Sequence, residues 1–254
     1  MRAGVVPEMP WPQKSSKGAK THDPLADAAV YCGCGTFYAA RARARPGLNA
    51  ARRVLPMNPP KSQASVRAFV AIHLPPALLR ALGDLTGRLR PRLDGTSARW
   101  SRPSQIHLTL RFLGGVAAES IPELTAALRE ACAGFPRLDL RARGLGTFPN
   151  SKRPRVLWVG LGGDIDQLLC LEKSIGRACR PWSSSREQPF KPHLTLARFA
   201  EPGRADAHRL QPLLREFGSY DAGTWVAEEV SLMRSDLTPE GAVHTRLAAF
   251  PLGG

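Results

Sequence analysis

Two stretches decide the reading of this chain: "IHLTLRFLGG", Ile106 to Gly115, and "PHLTLARFAE", Pro192 to Glu201. Both carry His-Leu-Thr-Leu, 86 positions apart (193 − 107). Each is flanked by apolar residues with strand character. On a strand, successive side chains alternate between faces. His107 and Thr109 therefore share one face, with Leu108 and Leu110 on the other. His193 and Thr195 stand likewise against Leu194 and Leu196. Each strand offers an imidazole beside a hydroxyl, anchored in a core by two leucines. One copy reads most simply as a strand histidine with a local partner. Two copies, both followed within two residues by an arginine (Arg111, Arg198), read as one paired site across a cleft.

Such a pair suits phosphodiester chemistry. In-line attack at phosphorus needs a base on the incoming oxygen and an acid on the departing one. Imidazole titrates near ~6.5 and serves either role. Threonine hydroxyls can hold the non-bridging oxygens, where charge develops. The scheme requires neither metal nor cofactor. Two histidines fall short of the three protein ligands usual at a catalytic zinc. The other histidines, His22, His73, His208 and His244, read as structural or exposed residues. No G-x-S-x-G nucleophile or Gly-rich phosphate loop occurs.

Around these strands the chain alternates short strands and amphipathic helices. "VRAFVAIHL" reads as a strand, and "PALLRALGDLTGRL" as a helix with proline in its first turn. "ARWSRP" reads as a short strand. Ser120 and Glu123 have capping-box spacing before the helix "LTAALREACAGF". The strands "RLDLRARGLGTF" and "RVLWVGL", the helix "DIDQLLCLEKSIGRACR" and the strand "PHLTLARF" follow. The helix "RADAHRLQPLLREF" and two closing strands, "TWVAEEVSLMRS" and "AVHTRLAAFPL", complete the chain. This order implies an α+β fold of two similar lobes related by a pseudo-twofold axis.

The 254 residues carry a formal charge of +15. Residues 1–64 hold ten Lys/Arg against three Asp/Glu, and the remaining 190 hold 26 against 18. The first segment, rich in Pro, Gly and Arg without strand or helix period, reads as a disordered basic extension. Met57, just before the folded pattern, is a candidate alternative start, and residues 65–254 form the domain. The domain's moderate excess of positive charge fits a polyanionic substrate or a solvated Arg-rich surface.

No apolar run reaches the ~18–20 residues of a membrane span, and the start lacks a secretory apolar region. Five irregularly spaced cysteines, including the C-x-C at Cys32 and Cys34, outline neither disulfide framework nor zinc site. Cys170 and Cys179, on a helical stretch, read as buried small hydrophobes. A reducing cytoplasm is the expected compartment.

Together the residues resemble the 2H phosphoesterase superfamily, whose mark is two H-x-T-x motifs. The flanks "RAFVAIHLPP", "RWSRPSQIHLTLRFLG", "GTFPNSKRPRVLWVGL", "FKPHLTLARF" and "SLMRSDLTPEGAVHTRLAAFPL" are similar to its RNA 2′,3′-cyclic phosphodiesterases, also called 2′-5′ RNA ligases. The resemblance covers about residues 66–252. It implies a bilobal α+β fold with an antiparallel sheet and helices in each lobe and a central cleft. It implies a monomer that acts without metal on RNA ending in a 2′,3′-cyclic phosphate, leaving a 2′-phosphomonoester. His107 would be the proton donor and His193 the acceptor, with Thr109 and Thr195 holding the phosphate. Arg198 would also contact phosphate, but strict alternation points it away from the His193 face, so a strand bend is required. Arg155 reads as a surface ion-pair residue. The family often has an acidic residue where this chain has His73, and an aromatic where it has His244.

Two other readings use the same residues. One is the reverse chemistry, joining a cyclic-phosphate end to a 5′-hydroxyl. The other is a non-catalytic RNA-binding module built on the basic surface and on Trp100, Phe112 and Trp158.

Overall fold

The computed structural model describes residues 64–183, 189–200, 204–239 and 241–253. The basic extension, Met57, His22 and the C-x-C pair lie outside them. Among the described residues, strand alternation and helical periodicity build nine strands and four α-helices. In order these are β1 (Ser65–His73), α1 (Pro76–Leu89), β2 (Ala98–Trp100), β3 (His107–Ala117), α2 (Ile121–Cys132), β4 (Leu138–Phe148) and β5 (Val156–Gly163). Then come α3 (Ile165–Ala178), β6 (His193–Phe199), α4 (Arg204–Glu216), β7 (Asp221–Ala227), β8 (Glu229–Thr238) and β9 (Gly241–Pro251).

The strands form one antiparallel sheet in the order β7-β4-β5-β6-β3-β1-β8-β9, with β2 also paired to β6. Its two four-strand halves meet where Leu108 of β3 opposes Leu194 of β6. β2 and β3 take turns along the same edge of β6: Trp100 opposes Ala197, then the Ser101 amide donates to the Leu196 carbonyl at 2.8 Å. The expected lobes are thus halves of a continuous sheet.

That sheet must curl. β7 ends the order on one side, and β8 is next to last on the other, yet only Glu228 separates them in the chain. Two residue steps span at most roughly 7 Å, so the far sides approach each other there. The single strand read in "TWVAEEVSLMRS" is therefore two. Its halves need different partners, β4 for β7 and β1 for β8.

The helices cover the sheet and tie its halves together. α1 buries Leu78, Leu82, Leu85 and Leu89, an i, i+4, i+7, i+11 stripe. It follows β1 but packs on β7, in the other half. α3 follows β5 and packs on both β3 and β4. Its buried face is Leu168, Leu171 and Ile175, so Cys170 falls on the outer side and is exposed, against the expectation of burial. Cys179, just past the helix, is buried as expected.

The expected capping box does not form. Ser120 ends a 3₁₀ turn with helical backbone angles (φ −85°, ψ −9°), and its side chain makes no capping hydrogen bond. A capping side chain reaches the N2 or N3 amide from an extended N-cap backbone, which Ser120 lacks.

Candidate active site

β3 and β6 place both tetrads where the halves join. Leu108 and Leu194 are fully buried, each with 0% exposure. Their histidine and threonine neighbours on both strands are only partly buried. In an antiparallel pair centred on Leu108 and Leu194, the next positions set His107 near Thr195 and Thr109 near His193.

The two imidazoles are held by the same device. His107 Nδ1 lies 2.8 Å from the Gln105 carbonyl, and His193 Nδ1 lies 2.6 Å from the Lys191 carbonyl. A carbonyl only accepts, so each Nδ1 carries the proton and donates it. The other nitrogen, Nε2, is left as the free lone pair in both neutral rings. Each ring also has a phenylalanine neighbour. Phe69 stacks on His107 at 4.9 Å between ring centres, and Phe148 meets His193 edge-on at 5.0 Å.

Burial favours the uncharged ring. It pushes His107 down to about 4, opposed by the Gln105 carbonyl and assisted by His244, His73 and Arg198. His193 is also lowered, chiefly by burial, with Arg198 contributing and the Lys191 carbonyl opposing.

A cavity of about 620 Å³ opens beside the junction. His107, Thr109, Thr195 and Arg198 are in its walls. His193 is not; it lies two residues from Thr195 on the same face of β6.

Arg198 reaches the cavity through a β-bulge. Along β5 and β6, Trp158 opposes Thr195 and Leu157 opposes Ala197, which leaves Leu196 as an extra residue. Leu196 and Ala197 are consecutively buried, and the residue after them returns to the His193 face. This is the bend that the sequence required. β3 repeats it: Ala71 opposes Thr109 and Val70 opposes Arg111, leaving Leu110 extra. The second leucine of each tetrad is therefore the bulge residue.

The two copies share the bulge and differ in the residue it turns to the cavity. The fifth residue after each histidine faces the cavity, Arg198 in one copy and Phe112 in the other. Arg111, by contrast, turns to the helix layer and meets Glu172 of α3 at 3.4 Å.

Two further residues were not singled out by the sequence. His244 on β9 is in the cavity wall, edge-on to His107 with ring centres 5.4 Å apart. His73 on β1 is the register partner of His107. His73 is exposed, as read, whereas the curled sheet carries β9 toward β3 and brings His244 beside His107. The cue in the sequence was that both positions depart from the family's pattern. Trp100 packs against the core, with the Arg90 guanidinium 5.8 Å from its ring centre. Trp158 rests over Gly146, where an added Cβ would come within 2.2 Å of the indole. Neither is an exposed platform; Phe112, at 54% exposure, is. Arg155 is exposed and its carbonyl accepts from the Phe199 amide at 2.9 Å. Among the described residues, no group of three or more His, Cys, Asp or Glu is placed to hold a metal.

Residues 72–158 and 163–244 match the family described as "LigT like Phosphoesterase". The chain belongs to that family. A similar LigT-like protein is the RNA 2′,3′-cyclic phosphodiesterase of Methanothermobacter thermautotrophicus, 30% identical over 189 residues, covering 74% of this chain and 99% of the relative. The Aeropyrum pernix protein of the same name is 36% identical over 172 residues, covering 64% and 94%. The crystal structure of a Thermus thermophilus protein superposes with a TM-score of 0.59 at 30% identity, covering 74% of this chain and 98% of that one. The LigT-like family thus accounts for the described domain as a phosphoesterase. No helix among the described residues is long and apolar enough to cross a membrane.

Proposed function

We propose that this LigT-like phosphoesterase opens the 2′,3′-cyclic phosphate at an RNA end to a 2′-phosphomonoester. The observation that carries the reading is the matched pair of imidazoles, each with Nδ1 committed to a carbonyl and Nε2 free. His193 Nε2 takes a proton from water, and the water oxygen bonds to phosphorus. The bond from phosphorus to O3′ breaks, and protonated His107 gives its Nε2 proton to that oxygen. Thr109, Thr195 and the Arg198 guanidinium hold the non-bridging oxygens. Charge builds there in the transition state, and fixed donors stabilise it most. The relatives named above carry the same activity in their names.

An RNA end, rather than a small cyclic ester, is favoured by two features beside the cavity. Phe112 presents an exposed ring on which a base can stack. Arg99 is the cross-strand register partner of Arg198 and is likewise exposed, so the positive row continues beyond the phosphate site. Residues 95–118, 140–163 and 189–200, which contribute most of β2 to β6, contain no Asp or Glu.

End-group analysis of a 2′,3′-cyclic-phosphate oligonucleotide, in EDTA, tests the reading. A 2′-phosphomonoester product is expected. A 3′-phosphomonoester product, or loss of activity in EDTA with recovery on zinc, overturns it. A 2′-5′-joined product with a 5′-hydroxyl acceptor would report the same displacement with that hydroxyl in place of water, which the same two imidazoles serve.

A further inference from the structure

We propose that His244 is a positioning residue for the reaction: it pairs edge-on with His107, and the two rings carry at most one proton between them. The argument begins with Gln105. Its backbone carbonyl receives the His107 Nδ1 proton at 2.8 Å, and its side-chain amide donates to the Ala242 carbonyl at 2.7 Å. One residue therefore fixes the acid's ring and ties down the start of β9, two residues before His244. The ring planes of His107 and His244 lie at 88°, with centres 5.4 Å apart. Phe69 meets both, at 4.9 Å and 5.0 Å, and completes a three-ring cluster. Within it, the His244 Nδ1 is buried and has no hydrogen-bond partner among the described residues.

Two cations at this separation in a desolvated site repel strongly, so the pair titrates as a unit. The other groups facing it add positive character: His73 and Arg67 on β1, and Arg198 on β6. Ser235 and Leu237, the β8 residues in the cavity wall, are uncharged. Arg246 on β9 and Glu229 on β8 act through His73. They are themselves paired at 2.6 Å. Among the described residues, no carboxylate is in the cavity wall to stabilise a second proton. His244 is itself held below the ordinary imidazole value by burial, then by His73. A bound phosphodiester brings the missing negative charge and selects the state in which the proton sits on His107. His244 thus makes protonation of the acid depend on substrate.

The inference rests on the acid role given to His107, but its first test does not. In the substrate-free protein, the His Cε1 resonances are followed by NMR against pH. His244→Phe keeps an aromatic ring and removes the titrating nitrogen; the His107 midpoint is expected to rise by about one unit, the scale of coupled sites. His107→Phe should leave the His244 midpoint nearly in place, because the ring that takes the pair's first proton does so while its partner is neutral. An unmoved His107 midpoint in the folded His244→Phe variant overturns the proposal. If His244→Phe does not fold, His244→Asn serves for the first arm. The second test is the pH dependence of kcat/KM with a cyclic-phosphate oligonucleotide. Because free His107 titrates below His193, it sets the acid limb, which should move upward in His244→Phe. NMR shifts without movement of that limb would leave the pair standing and overturn His107 as the acid.

Discussion

Leu108 of β3 and Leu194 of β6 oppose each other at the one register position where the two halves of the sheet are joined. Both are fully buried, and each stands between a histidine and a threonine of its own tetrad. The packing of this pair therefore sets the separation of the two histidine–threonine faces.

Truncating either leucine tests that dependence. Leu108→Ala or Leu194→Ala is expected to cost about 2–5 kcal/mol in denaturant unfolding, the range for buried Leu-to-Ala changes. Turnover should fall even under conditions where the variant is fully folded. Full activity in a folded variant would show that the junction does not position the site.

Removing either imidazole should remove proton transfer. His107→Ala and His193→Ala are each expected to lower kcat at least ~10²-fold, the usual scale for acid–base help. Binding of a cyclic-phosphate oligonucleotide should largely persist in both. Unchanged turnover in both variants would exclude the mechanism.

Burial holds both histidines below the ordinary value of 6.5, His107 at about 4. The base must be neutral and the acid protonated, so the bell-shaped kcat/KM profile should be centred below pH 6.5. The same shifts act on stability. Between about 4 and 6.5 the unfolded chain binds protons that folded His107 refuses. Stability therefore falls as pH drops through 6.5 and levels off below about 4. Urea midpoints measured from pH 7.5 to 3.5 check this. His107→Phe should flatten the descent.

Arg99 and Arg198 separate strand binding from phosphate binding. Arg198→Ala should weaken all cyclic-phosphate substrates and, by removing a nearby cation, move both histidine midpoints upward. Arg99→Ala should weaken an oligonucleotide more than a cyclic mononucleotide. It should also reduce the salt slope of oligonucleotide binding by about one. Equal losses on both substrates would mean that the row does not follow the RNA strand.

Much of the fold was legible because its signals are local. The stripe and flanking prolines of "PALLRALGDLTGRL" mark α1 over the same residues that the structure makes helical. Alternation around each tetrad placed imidazole and hydroxyl on one face. The division at Glu228 was not legible. An unbroken strand pattern says nothing about which neighbour each half will pair with, and β7 and β8 find theirs in different halves of the sheet. Ser120 failed as a cap for a similar reason: the preceding 3₁₀ turn set its backbone.

By itself the sequence determined the two histidine–threonine faces and their leucine anchors. These follow from the two-residue period of a strand, which any isolated segment obeys. Only the tertiary structure decided which residue after each tetrad reaches the cavity. Pairing to β1 and to β5 made bulge residues of Leu110 and Leu196, and these turned Phe112 and Arg198 into one cavity. Curling of the sheet then carried His244 against His107. Register shifts and curl arise from contacts between distant strands, so no local pattern announces them.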